Sequence, residues 1–323
     1  MTTIISGTSG LTFPDNSTQA VGFYGFKNRI INGSTLINQR GVTSGVTSGY
    51  FVDRWQVSGL TTSSLITTSL PNNFTQAISL NRTSAAGTMT TYQNIESKNC
   101  LDLVGATVTV SFWAQNVTGI TSITATLNYA NTVDTFSAVT AITTVTVSSS
   151  PSASWTYYTA TYTNLPSGVA NGLQLVIAGV TASTGTLGVT GVQLEKGSTA
   201  TSFDYRPYGT ELALCQRYLP AFPAASGAIL GTGYFDTNAG IYYLNFPVTP
   251  RVPATGMISS SASSFYANNP GVGNPVPTGI AFVSSSNTSM RITATGIGTV
   301  TNGLSSALIA NTTVLIYGTG CEL

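Results

Sequence analysis

The sequence predicts an all-β protein: an extended N-terminal arm, a β-sandwich of the jelly-roll kind, then a second β-sandwich-like domain. Three observations carry this reading. Apolar and polar residues alternate with period two in run after run. Gly, Asn, Pro and Ser clusters separate the runs at short spacing, which suits antiparallel strands and not α/β units. Charged residues make up only 7% of the 323 positions while hydrophobic residues make up 42%, with 15 Tyr and 13 Phe, so the chain has ample core material and is not disordered.

Residues 1–26 form the arm. "TSGLTFPDNSTQAVGFYGF" carries a turn signal at Pro14-Asp15-Asn16 but too few apolar residues for a core of its own. Such an arm is expected to be held by a partner or a symmetric copy. Residues 27–209 form the jelly roll. Its clearest strand is "ATVTVSFWAQ", with Val108, Val110, Phe112 and Ala114 on one face and Thr109, Ser111, Trp113 and Gln115 on the other. "SITATLNYA", "AITTVTVSS", "SWTYYTATYT" and "GLQLVIAGV" follow. Residues 210–323 form the last domain, read from "IYYLNFPVTPRVP", "TGIAFVSSS", "SMRITATG" and "TTVLIYG". A short helix, "GTELALCQRYL", joins it to the jelly roll, with Thr210 as N-cap, Glu211 placed for the helix dipole and Pro220 as the stop.

Composition also excludes function classes. Eleven Lys and Arg nearly cancel ten Asp and Glu, which leaves no basic stripe for nucleic acid. Histidine is absent, which removes Ser-His-Asp and Cys-His nucleophile pairs and any imidazole metal site. No phosphate-cradling glycine loop precedes a helix, and the carboxylates are too scattered to predict a glycosidase pair. No catalytic residue, metal or cofactor is therefore expected, and no D-x-D-x-D run supports Ca²⁺. Cys100, Cys215 and Cys321 are expected to be buried reduced thiols. No signal peptide and no membrane insertion are expected, so the chain is read as made in a reducing cytoplasm.

The candidate ligand residues are aromatic and amide side chains on polar strand faces. Trp113 and Gln115 share the polar face of their strand, Tyr157 shares a face with Trp155, and Gln193 alternates against Val192 and Leu194. A flat ring among amides and hydroxyls suits a sugar, whose C–H bonds stack on the ring while its hydroxyls hydrogen-bond. The charges cluster elsewhere. Asp53 and Arg54 are read as a structural ion pair at a domain edge. Glu195 or Asp204 with Arg206, and Glu211 with Arg217, are read as pairs across the junction between the two domains.

Three segments together, "NRIINGSTLINQRGVTSGVTSGYFVDRWQVSG", "VGATVTVSFWAQN" and "VTGVQLEKGSTATSFDYRPYGTELALCQRYLP", resemble bacteriophage tail-fibre-like virion proteins of the aquatic and cyanobacterial phage type. The arm "SGTSGLTFPDNSTQ" is similar to short segments repeated in phage fibre proteins. The resemblance covers roughly residues 1–220. It implies a carbohydrate-binding-module-like jelly roll displayed from the virion, a homotrimer, and attachment to other virion proteins through the arm. It also implies a role in recognising host-surface polysaccharide. A head decoration protein or a fibre adaptor with a purely structural role is the alternative, and a polysaccharide depolymerase a further one.

Overall fold

Strands account for nearly all regular structure in the computed structural model, which describes residues 4–6, 10–12, 18–19, 26–71, 73–269 and 273–323. The N-terminal segment differs from a simple extended arm. β1 (Ile4–Ser6), β2 (Gly10–Thr12) and β3 (Thr18–Gln19) pair antiparallel in that order, so these short strands satisfy their backbone groups on one another. The Pro14-Asp15-Asn16 turn lies outside the described residues.

The chain divides into two compact units. One holds Met1–Leu36, Thr43–Gly49 and Gln56–Pro207; the other holds Ile37–Val42, Tyr50–Trp55 and Tyr208–Leu323. The break after Pro207 lies beside the 209/210 boundary read from the sequence. Residues 37–42 and 50–55, placed by the sequence in the jelly roll, belong instead to the second unit. Their partners explain why. Gln39 Nε2 donates to Leu219 O at 3.1 Å, Arg40 pairs with Glu322, and Tyr50 OH donates to Leu323 O at 2.6 Å.

After β4 (Gly49–Tyr50), of which Gly49 belongs to the first unit, that unit holds β5 (Gln56–Ser58), β6 (Thr62–Ile66), β7 (Ala77–Arg82), β8 (Gly87–Ile95), β9 (Val108–Thr132), β10 (Thr135–Ser148), β11 (Thr156–Tyr162) and β12 (Leu173–Lys196). β9 and β12 are long enough to serve two layers. Their pairing runs from Leu173↔Tyr129 to Lys196↔Val108, with register shifts between Val180 and Leu187 where both strands bend. Gly119 sits at this bend with φ +66°, and a Cβ there would lie 2.0 Å from Thr184 O, so only glycine fits. One layer has the order β6-β7-β12-β9-β11, the other β10-β9-β12-β8-β5.

The faces turned toward each other carry the core. Val108, Val110, Phe112, Ala114, Leu80 and Leu194 meet Ile123, Ala125, Leu127, Leu173, Leu175 and Ile177, all fully buried. Edge strand β10 buries no residue, and three register shifts along its pairing with β9 disturb its free edge, a device that discourages stray pairing.

After segments 37–42 and 50–55, the second unit continues with α1 (Tyr208–Gln216), which begins three residues before the start that a Thr210 cap predicts. Thr210 therefore lies inside the first turn with Glu211 and does not cap it. Nine strands follow: β13 (Ala221–Ala224), β14 (Ile229–Asp236), β15 (Ala239–Asn245), β16 (Gly256–Ser259), β17 (Phe265–Asn268), β18 (Gly279–Ser285), β19 (Ser289–Thr295), β20 (Ser305–Ala310) and β21 (Val314–Thr319). They form a three-stranded sheet, β13-β21-β16, and a six-stranded sheet, β17-β20-β14-β15-β19-β18. Phe235, Tyr242, Leu244, Phe265, Met290, Ile292 and Ile316 build its core.

Candidate functional site

The polar face of β9 forms the centre of the candidate site. Because Val110 and Phe112 face the core, Thr109, Ser111, Trp113 and Gln115 share the opposite face, where Thr109 and Ser111 are buried and Trp113 and Gln115 half-buried, and register fixes their neighbours. Thr109 lies between Thr161 and Glu195, and Ser111 between Thr159 and Gln193. Trp113 lies between Tyr157 and Thr190. Cross-strand pairing thus brings Trp113 and Tyr157 together, two residues that sequence reasoning had singled out separately. Their rings are 5.4 Å apart at 51°. Trp113 is half-buried and Tyr157 is 41% exposed. Burial raises the Tyr157 phenol above its ordinary value, so it stays a neutral hydroxyl.

A bulge between Thr190 and Gln193 on β12 shapes one border of this pair. Gly191 occupies it at φ +62°, where an added Cβ would stand 2.6 Å from Phe74 Cζ and 3.1 Å from Trp113 Cδ1. Phe74 in turn meets Phe203 edge-on at 5.1 Å and Tyr205 at 5.7 Å; Phe203 and Tyr205 are 4.8 Å apart. An aromatic band therefore runs from Tyr157 through Trp113 and Phe74 to Tyr205, which is 53% exposed. Sequence reasoning missed Phe74, Phe203 and Tyr205. The alternating Phe-Asp-Tyr of residues 203–205 was the available signal for the last two, while Phe74 sits in a loop with no periodicity. Gly191→Ala is expected to push Phe74 and Trp113 apart and to cost about 1–3 kcal/mol, read as a lowered urea midpoint.

Gln193 needs correction as a ligand residue. It is fully buried, and its amide is consumed: Nε2 donates to Glu195 Oε1 at 2.8 Å, and Oε1 accepts from Asp204 N at 2.9 Å. Glu195 is also buried and accepts from Thr201 N and Thr201 Oγ1 at 2.8 and 2.7 Å. Asp204 accepts from the backbone N–H groups of Lys27 and Asn28 at 3.1 and 3.2 Å. The two carboxylates thus hold the returning segment 198–206 through amides and hydroxyls, and neither pairs with Arg206. Arg206 donates to the carbonyls of Ile30 and Asn28 and lies over the Phe26 ring. Gln115 is half-buried and donates Nε2 to Ala153 O at 2.7 Å, which leaves its Oε1 for other work.

The other predicted charges lie in the second unit. Asp53 and Arg54 are both buried, and Asp53 faces Arg40 at 3.8 Å while accepting from Gln39 N and Nε2 at 2.9 and 2.6 Å. Arg54 lies 3.6 Å over the Tyr218 ring, Arg217 lies 5.9 Å from the same ring, and Glu211 is buried in α1. Burial raises the Asp53 and Glu322 carboxyls above their ordinary 3.8 and 4.5; the Arg40 charge and hydrogen bonds to Asp53 and Glu322 oppose this and lose. A carboxyl raised on folding stabilises the fold fully below its unfolded pKa and loses that contribution as pH rises through the folded one. Melting of the second unit is therefore expected to fall from about pH 4 towards neutrality, and Asp53→Asn with Glu322→Gln to flatten that slope.

The three cysteines are buried, with burial pushing Cys100 up to about 12 and Cys321 up to about 11, so neither is a thiolate nucleophile. Among the described residues, no three His, Cys, Asp or Glu side chains gather to hold a metal ion, and no helix is long and apolar enough to cross a membrane.

No family model and no curated protein matches the chain. Solved structures do. The enzymatically active domain of tailspike protein 4 of bacteriophage CBA120 is 16% identical, with a TM-score of 0.37 over 53% of this chain and 21% of that one. A sugar-binding protein described as putative from Bacteroides thetaiotaomicron is 14% identical, with a TM-score of 0.37 over 53% of this chain and 100% of its own. The CBM22-1 xylan-binding domain of Paenibacillus barcinonensis Xyn10C is 11% identical, with a TM-score of 0.35 over 55% and 100%. The chain spans only about a fifth of the tailspike's length. The jelly-roll assignment rests on the strand order above.

Proposed function

We propose that the protein is a phage virion component of the tail-fibre type, and that its jelly roll recognises host-surface glycan through the Trp113 face. One observation carries the reading of the site. Two partly exposed rings, Trp113 and Tyr157, stand side by side on a face whose neighbouring polar groups are locked by buried hydrogen bonds. Such a platform is rigid before a sugar arrives, so little ordering entropy is lost on binding. Gln115 on β9 and exposed Thr159 on β11 lie on the same face beside it, while the Tyr157 hydroxyl is turned to Thr201 O at 3.5 Å. The virion setting is supported by the sequence resemblance and by a surface hydrated through hydroxyls and amides rather than charge. In that setting the protein acts as a homotrimer, joined to other virion proteins through its N-terminal segment, and performs no chemistry on the polysaccharide.

Glycan-array binding by the intact chain tests the reading. Binding to host-surface glycans without release of reducing ends is the expected result. Absence of binding to any glycan would favour a head decoration protein or fibre adaptor, and release of reducing ends a depolymerase. Imaging a labelled chain in intact particles locates it on the virion.

A further inference from the structure

The outer face of the six-stranded sheet in the second unit carries a second aromatic surface, built around one cation. Met290 and Ile292 of β19 point into the core, so Arg291 between them points outward. The same alternation turns Tyr243 outward between Tyr242 and Leu244, and Tyr234 outward beside Phe235. Register places Tyr243 directly opposite Arg291, with Tyr234 one row along, opposite Ile241. Tyr243 is 41% exposed and Tyr234 is 37% exposed.

The charge here is unusual for this chain. The six strands contain two charged residues, Asp236 at a hairpin end and Arg291 in mid-strand. Asp236 accepts from Thr237 Oγ1 at 3.0 Å. Arg291 takes part in none of the ion pairs among the described residues, and its Nε is buried without a hydrogen-bond partner. Nε is enclosed and out of an anion's reach, but the side chain as a whole is only half-buried, so an arriving carboxylate meets the two terminal guanidinium nitrogens, which it accepts from in two parallel bonds. Opposite Arg291, edge strand β18 carries a register shift between Phe282 and Ser284 that leaves Val283 as an extra, exposed residue. Bulges of this kind re-aim side chains beside binding sites.

We infer that this face binds a carboxylate-bearing sugar, with Arg291 holding the carboxylate and Tyr243 and Tyr234 stacking on the pyranose. The charge complementarity selects an acidic saccharide over a neutral one, and the flat rings select a sugar over a simple anion. The inference stands apart from the Trp113 face and does not require it.

Calorimetric titration of the full chain with a galacturonic acid trisaccharide, and with the corresponding galactose trisaccharide, tests it. The acidic sugar is expected to bind at least about tenfold more tightly, with a preference that falls as salt rises. Arg291→Gln is expected to erase the preference, and Arg291→Lys to keep it only in part. Tyr243→Ser, at an exposed position, supplies a second variant should Arg291→Gln fail to fold, and is expected to weaken both sugars. Equal affinity for the two sugars would overturn the inference, as would a preference that survives Arg291→Gln.

Discussion

A chain cut after Pro207 is expected to lose cooperative folding, although the cut falls at the end of the jelly roll. The cut removes the partners of residues 37–42 and 50–55. Gln39 loses Leu219, Arg40 loses Glu322, and Arg54 loses the Tyr218 ring. Phe51, Val52 and Trp55, all fully buried in the intact chain, stay in the shortened chain but lose residues 208–323, the rest of the unit they belong to. Exposing them forfeits about 1.5–3 kcal/mol for each side chain, a total comparable to the whole stability of an ordinary domain. The expected result is a 1–207 chain that aggregates or melts broadly, with red-shifted emission from Trp55. A sharp melt with unshifted emission would show that the two inserted segments are dispensable.

Replacing the platform rings is expected to have the second largest effect, on binding with little loss of stability. Trp113 is only half-buried and Tyr157 is 41% exposed, so truncating either leaves the core behind Phe112 intact. Stacked aromatic rings dominate recognition of apolar sugar faces, and central aromatic anchors typically cost about 2 kcal/mol or more when truncated. Trp113→Ala is therefore expected to weaken glycan binding about thirtyfold. Tyr157→Ala is expected to weaken it less, since Trp113 remains. Gln193→Ala, by contrast, is expected to act through the fold: it frees the buried Glu195 carboxylate and the 201–204 segment together. Thermal melting and binding measured on the same samples separate the two behaviours.

The strands were legible because alternation is a local property. Val108 to Gln115 reads correctly from spacing alone, since one face is core and the other is not. Alternation names the face of a residue but not what later covers it. Gln193 has the pattern of an outward-facing amide, yet residues 198–206 return over it and use every polar atom it has. The same return defeats the pairing of Glu195 or Asp204 with Arg206, which nearness in sequence suggests: Thr201 and the Lys27 and Asn28 amides reach the carboxylates first. Residues 37–42 and 50–55 were misplaced for a different reason. Their partners lie some 180 to 280 positions away, at Leu219 and Glu322, and no local period encodes them. The Trp113–Tyr157 pair lies between these cases. Each ring was visible in its strand, but the register that joins β9 to β11 was not.

The most direct test of the sugar platform is to follow the three tryptophan indole N–H signals by NMR while host-surface polysaccharide is added to the intact protein. Trp55 is fully buried in the second unit and serves as an internal reference. The Trp113 signal is expected to shift in a saturable way while that of Trp55 stays in place. A Trp113 signal that stays fixed at saturating polysaccharide, or shifts no more than that of Trp55, would contradict the assignment of this face.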